Sequence, residues 1–237
     1  MRVLATAAVL LLLAPVVPAT TLTWEPAHHL APQGYLEFPA AGDLDCDGDC
    51  DVSSPTLHYW NVGTPEAPVW ELDTGVFEGI WLHGRGRKSA DLGDLDGDGD
   101  LDLIQTYWDE YVFIQLNEGT PQQPAWSPSV DSVFTSHHCT AEFADIDCDG
   151  DLDIIATTST GAQLLHRNVG TPQSPEWSED WEWLTDIDLH YGDAMSTSFG
   201  DLDLDGDTDV VGLAYGMWPQ CWENVGTPGE PQFEERP

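Results

Sequence analysis

Aspartates alternate through four short runs of this chain, each closing around a glycine. The runs are Asp43-Leu-Asp45-Cys-Asp47-Gly48-Asp49-Cys-Asp51, Asp94-Leu-Asp96-Gly-Asp98-Gly99-Asp100-Leu-Asp102, Asp145-Ile-Asp147-Cys-Asp149-Gly150-Asp151-Leu-Asp153 and Asp201-Leu-Asp203-Leu-Asp205-Gly206-Asp207-Thr-Asp209. Carboxylates packed this densely repel one another, and a hard multivalent cation makes the arrangement favourable. Calcium suits it, because that ion accepts about six to eight oxygen ligands at flexible geometry. The spacing assigns the roles. Positions 1, 3 and 5 aim carboxylates at one centre, and the glycine at position 6 makes the sharp turn. Position 7 (Asp49, Asp100, Asp151, Asp207) offers its backbone carbonyl, and position 9 (Asp51, Asp102, Asp153, Asp209) closes the cage. Up to four Ca2+ are expected, one per loop. A solvated acidic run would not repeat position by position with its glycine held in place.

The elements that must hold these loops read as strands. An EF-hand opens in the same way but needs an acidic residue at position 12 and flanking helices. Position 12 here is Ser54, Gln105, Ala156 and Gly212, and the following segments (101–107, 152–158, 209–215) are β-branched and aromatic. A second motif recurs between the loops: Asn61-Val-Gly63-Thr64-Pro65-Glu-Ala-Pro68-Val-Trp70, again at 117–126, 168–177 and 224–233. Asn and Gly in register mark a tight turn, and two prolines suit an edge strand. One unit therefore runs strand, aspartate loop, strand, short turn, strand, Asn-x-Gly turn, outer strand. The loops start at 43, 94, 145 and 201, and four-stranded units at such intervals are propeller blades or a related β array. No long apolar run of helical period follows residue 19, so an all-β chain is expected.

The Asp-x-Asp-x-Asp-Gly-x-x-Asp loop after a short strand, with Phe199-Gly200 just before the fourth copy, resembles the FG-GAP/VCBS repeat. That repeat builds the calcium-binding β-propeller of integrin α-subunits and of many secreted bacterial proteins. The resemblance covers nearly all of residues 20–237 and implies metal ligands at positions 1, 3, 5 and 9 of each loop and at the position-7 carbonyls. The repeats span about 24–70, 71–126, 127–177 and 178–237. Family propellers usually have seven blades, whereas this chain has four repeats. The first is shortened, with 10 residues from Asp51 to Asn61 where the others have 15. The expectation is a closed four-bladed propeller with a degenerate first blade; the alternative is an open arc whose exposed edges self-associate. Outer-strand tryptophans precede the next loop by 19, 24, 19 and 24 residues, the mark of a duplicated two-blade unit.

Composition narrows the function. Residues 1–19 read as a secretory signal peptide: Arg2, an apolar stretch from Val3 to Val17 and the small-residue site Val17-Pro18-Ala19. That stretch is shorter than the about 20 residues a membrane span needs, so no membrane insertion and an extracellular location are expected. The net charge is −37, and the loops hold 20 of the 43 acidic residues. With 6 basic residues there is little to neutralise phosphates, which excludes nucleic acid and acidic membranes as partners. Of five cysteines, Cys46 with Cys50 and Cys139 with Cys148 are the candidate disulfides, and an odd count leaves one over.

With the aspartate loops at one face, the remaining turns and connectors gather at the opposite one. That connector face collects Trp81, His83, Trp108, His138, His190, Tyr191 and Trp218 as candidate ligand residues. Flat rings with a few polar neighbours are what a sugar or peptide site uses. The same rings also serve as packing between blades. The sequence shows no Ser-His-Asp order, HExxH or other catalytic motif. The function expected is therefore a non-catalytic module that binds or adheres to extracellular protein or glycan, with calcium structural. The alternatives are a polysaccharide-active propeller enzyme using His and Tyr, and a purely structural repeat protein.

Overall fold

A computed structural model describes residues 37–54, 57–65, 67–76, 88–107, 111–128, 140–158, 162–187, 195–214, 218–227 and 229–236. Residues 1–19, expected to be a signal peptide, lie outside the described residues. The segments on either side of each aspartate loop pair as hairpins, and β-branched residues after the loops, such as Val52, Ile104, Ile154 and Val210, suit that pleated, half-buried surface. The first strands are β1 (Glu37–Phe38), β2 (Ala40–Gly42), β3 (Asp51–Ser53), β4 (His58–Asn61) and β5 (Trp70–Asp73). Next come β6 (Lys88–Gly93), β7 (Asp102–Tyr107), β8 (Tyr111–Gln115), β9 (Thr140–Ala144), β10 (Asp153–Thr157), β11 (Gln163–Asn168) and β12 (Trp177–Glu179). The chain ends with β13 (Met195–Gly200), β14 (Asp209–Ala214), β15 (Gln220–Asn224) and β16 (Phe233–Arg236).

These strands make four four-stranded sheets, ordered β2-β3-β4-β5, β1-β6-β7-β8, β12-β11-β10-β9 and β13-β14-β15-β16. Each expected repeat thus supplies one sheet, with two differences. The second sheet takes its fourth strand from β1, which runs parallel to β6 with Glu37 opposite Lys88. Its own outer segment holds only a bridge between Asn117 and Trp126. Pro121 and Pro124 in that segment have no N–H to donate to a ladder, and the Trp126 indole N–H instead donates to Val76 O at 2.7 Å. The first sheet is degenerate as expected, with three residues in β3 against six in β7.

Successive residues of a strand face opposite sides of its sheet, so each second strand feeds two interfaces. Leu103 joins Ala40, Leu44 and Leu92 in a core between the first and second sheets. Its neighbour Ile104 joins Val112, Phe143 and Ile154 between the second and third. Ile155 joins Phe199, Val210 and Trp222 between the third and fourth. Full burial of each such side chain contributes about 1.5–3 kcal/mol. The strands that lead into the aspartate loops, β2, β6, β9 and β13, neighbour one another in chain order. The architecture is all-β, four blades of a β-propeller. Val211 and Leu213, on the far side of the fourth sheet, belong to no apolar core among the described residues, and Leu213 is 48% exposed. Among the described residues, the one departure from all-β is a short 3-10 helix, Trp181–Leu184, after β12. Leu184 and the nearby Ile187 bury themselves in the core between the third and fourth sheets, and that packing fixes the turn.

Candidate metal centres

Each aspartate loop joins the first two strands of its sheet, β2 to β3, β6 to β7, β9 to β10 and β13 to β14, so the strand pair fixes both ends of the loop. Between those ends the backbone folds as the spacing anticipates. The position-6 glycines all have φ near +100°, a left-handed conformation that glycine adopts without strain. Position 4 is also left-handed, although it is Cys46, Gly97, Cys148 and Leu204. The position-1 carboxylate then accepts the N–H of the position-6 glycine, at 3.0 or 3.1 Å in every loop.

Three carboxylates converge in each loop. Asp43, Asp45 and Asp51 bring ligand oxygens within 4.8 Å of one another, as do Asp94, Asp96 and Asp102; Asp145, Asp147 and Asp153; and Asp201, Asp203 and Asp209. These are positions 1, 3 and 9. The position-5 residues Asp47, Asp98, Asp149 and Asp205 stand outside the triads and accept the N–H of position 7 at 2.9–3.0 Å. The side chains at position 7 (Asp49, Asp100, Asp151, Asp207) are not in the triads either.

Position 9 does more than close the cage. Asp51 Oδ2 accepts Leu44 N–H at 3.0 Å while its Oδ1 accepts Asn61 N–H at 2.8 Å. Asp102, Asp153 and Asp209 repeat both bonds with Leu95 and Asn117, Ile146 and Asn168, and Leu202 and Asn224. One carboxylate therefore fastens the aspartate loop to the Asn-x-Gly turn. The asparagine completes the link, since Asn61 Oδ1 accepts the N–H of Gly63 and of Val69, a pattern kept at Asn117, Asn168 and Asn224. The recurrence of aspartate and asparagine is visible in the sequence; their pairing is not.

Burial sets the electrostatics. It pushes Asp51, Asp102 and Asp153 up to about 6, 7 and 8, against the two N–H donors that pull each down. Asp94 Oδ1 and Asp147 Oδ1 are buried and accept no hydrogen bond. Clustered, partly desolvated carboxylate oxygens left without donors fit a hard divalent cation. The third loop differs in one respect: Arg167 Nη1 donates to Asp147 Oδ2 at 2.9 Å, its Nε to Asp180 at 2.8 Å, and its guanidinium lies 4.6 Å over the Trp183 ring.

Neighbouring loops are sewn together. Gln122 Nε2 donates to Asp45 O, Gln173 Nε2 to Asp96 O at 3.0 Å and Thr208 Oγ1 to Asp145 O at 2.8 Å. Gln122 and Gln173 follow the Thr-Pro of the Asn-x-Gly turn, where the first and last copies have Glu66 and Gly229. All four loops thus share one end of the stack.

Of the connector-face candidates, Trp218 lies among the described residues and is 88% exposed. Trp81, His83, Trp108, His138, His190 and Tyr191 lie outside them. The candidate disulfides are not formed: Cys46, Cys50 and Cys148 carry free thiols, as does Cys221, and Cys139 is outside the described residues. Nearness in sequence does not supply the Cβ geometry a disulfide needs. No helix among the described residues is long and apolar enough to cross a membrane.

None of the curated proteins matches this chain. A solved structure similar to it is that of an Agrocybe aegerita lectin, described as the structural basis of specific recognition of non-reducing terminal N-acetylglucosamine. The two are 21% identical with a TM-score of 0.49, covering 84% of this chain and 51% of that one. This chain therefore spans about half the length of that neighbour. Residues 94–156 match the family model described as FG-GAP-like repeat. The aspartate loop within that matched segment recurs with the same triad geometry in the other three sheets.

Proposed function

We propose that this chain is a secreted, non-catalytic binding module in which calcium holds the loop end of each sheet and the opposite end takes an extracellular protein or glycan. One observation carries the reading: the functional groups segregate. The carboxylate triads lie together at the loop end. Trp218, a fully presented indole, lies between β14 and β15, at the other end of the strands. A ring 88% exposed stabilises no core, and it offers a flat face for stacking plus one N–H donor. In the metal cages, the position-5 carboxylates and the position-7 carbonyls complete the oxygen set around each triad. Secretion rests on residues 1–19 and brings the loops to a compartment where calcium is abundant enough to fill weak sites.

The test is a glycan array probed with the calcium-saturated chain beside its Trp218→Ala variant. Retention on at least one glycan class, weakened tenfold or more by the substitution, is the expected result. Equal retention by both would move the ligand away from this end and overturn the reading.

A further inference from the structure

The strands β6, β9 and β13 border a cavity of about 360 Å³, walled toward their starts, by Leu213 near the end of β14 and by Pro219 after it, away from the aspartate loops. Asp91 and Glu142 line it. They hold the same place in the second and third sheets, three residues before the first aspartate of the loop; Ala40 and Ser198 stand there in the other two. Asp91 is 6% exposed and Glu142 is 7% exposed. One oxygen of each ties neighbouring strands. Asp91 Oδ2 accepts Phe143 N–H at 2.8 Å, and Glu142 Oε1 accepts the Thr197 hydroxyl at 2.6 Å.

These donors are neutral and leave the charge uncompensated. Among the described residues neither carboxyl meets a lysine, arginine or histidine, and the charged neighbour of Glu142 is Asp91 itself. Burial raises Asp91 to about 7 and Glu142 well above the usual carboxylate range. The Thr140 hydroxyl, on the same wall, is buried without a hydrogen-bond partner. A buried acidic pair of this kind must either hold protons or be joined by a cation, and a cation that enters displaces those protons.

We propose that this cavity binds an organic ligand through a protonated amine held by Asp91 and Glu142. A metal ion fits less well. The loops gather three carboxylates for that purpose, whereas this wall has two, set among aliphatic surfaces from Ala90, Ala141 and Pro219 that a hydrated ion does not use. The volume falls in the range of about 300–1,000 Å³ typical of small-molecule sites. Thr140 offers a hydroxyl to the body of the ligand, and Trp218, adjacent to Pro219, offers a ring that attracts cations and stacks on sugars. A net charge of −37 concentrates cations and repels anions around the entrance. This deepens the binding function proposed above and rests on its placement at the connector end.

The experiment is calorimetry on the full chain with calcium saturating, using two matched pairs: glucosamine against glucose, and 1,4-diaminobutane against 1,4-butanediol. At least one amine should bind, with its neutral partner at least tenfold weaker. The double variant Asp91→Asn, Glu142→Gln should lose that binding while circular dichroism and metal content stay those of the parent; single variants serve if the double one does not fold. The proposal is overturned if neither amine binds, if the alcohols bind equally, or if the variants bind as tightly. It is also overturned if the variants lose one equivalent of calcium, which would make the pair a metal site. Amine binding that fails while Trp218-dependent glycan retention persists sinks this inference alone; the reverse sinks only the glycan-face reading.

Discussion

At the scale of single residues, the four aspartates at position 9 carry more than charge. Asp102 places one oxygen in the metal triad while its carboxylate accepts two buried backbone N–H groups, from Leu95 and Asn117. Asp96 is equally a triad member, yet the one backbone donor it receives in its loop, Asp98 N–H at 3.2 Å, is exposed. Replacing either by alanine removes one carboxylate of the triad, so that loss cancels in a comparison. The remaining difference is two orphaned buried donors, each costing about 1–3 kcal/mol. Asp102→Ala should therefore destabilise the calcium-saturated chain by about 2–6 kcal/mol more than Asp96→Ala in urea unfolding. Equal losses would mean that position 9 acts only through the ion.

At the scale of elements, the seams between loops decide which residues fit. A Cβ on Gly97 would stand 2.7 Å from Gln173 Nε2 and 2.9 Å from Pro172 Cβ, on a backbone with φ +73°. Leu204 occupies the same loop position at φ 68° and is 66% exposed. Opposite substitutions should move stability in opposite directions. Gly97→Leu should cost about 2–3 kcal/mol by opening the seam, and Leu204→Gly should gain about 1 kcal/mol by relieving a left-handed leucine. Urea midpoints of the two variants measure both. The same contrast marks what the sequence made legible. The loops, the Asn-x-Gly turns and the first three strands of each repeat follow from local spacing and turn chemistry. The parallel pairing of β1 with β6, the replacement of an outer strand by the Trp126 contact, and the 3-10 turn at Trp181–Leu184 depend on partners distant in sequence. So do Asp91 and Glu142: each looks like one more acid in an acidic chain until the neighbouring strands enclose it. Their one visible signal is an acid with an apolar residue on each side (Ala90 and Leu92, Ala141 and Phe143), three residues before the loop.

At the scale of the whole molecule, three apolar cores and three loop-to-loop seams join the sheets in chain order. Stability in such an array is close to a sum of intrinsic and nearest-neighbour contributions. The second sheet contributes to two cores and two seams, while the fourth contributes to one of each. Each loop concentrates five carboxylates within nine residues, so an ion bound there works against self-repulsion and binds the folded state preferentially. Removing metal with a chelator should therefore lower the melting temperature by many degrees. Calcium should restore it and magnesium do so poorly, because magnesium demands octahedral geometry and gives up its waters reluctantly. The loss should also depend on position. Asp96→Ala, in the second sheet, should lower the melting temperature more than Asp203→Ala, the matching ligand in the fourth, since disorder in an inner unit weakens two neighbours. Calorimetry paired with elemental analysis reads both effects, with up to four calcium ions per chain in the parent and one fewer in either variant. A melting curve indifferent to chelator would show that the triads are stable as bare carboxyls. Equal shifts from the two variants would show that the sheets melt independently of their neighbours.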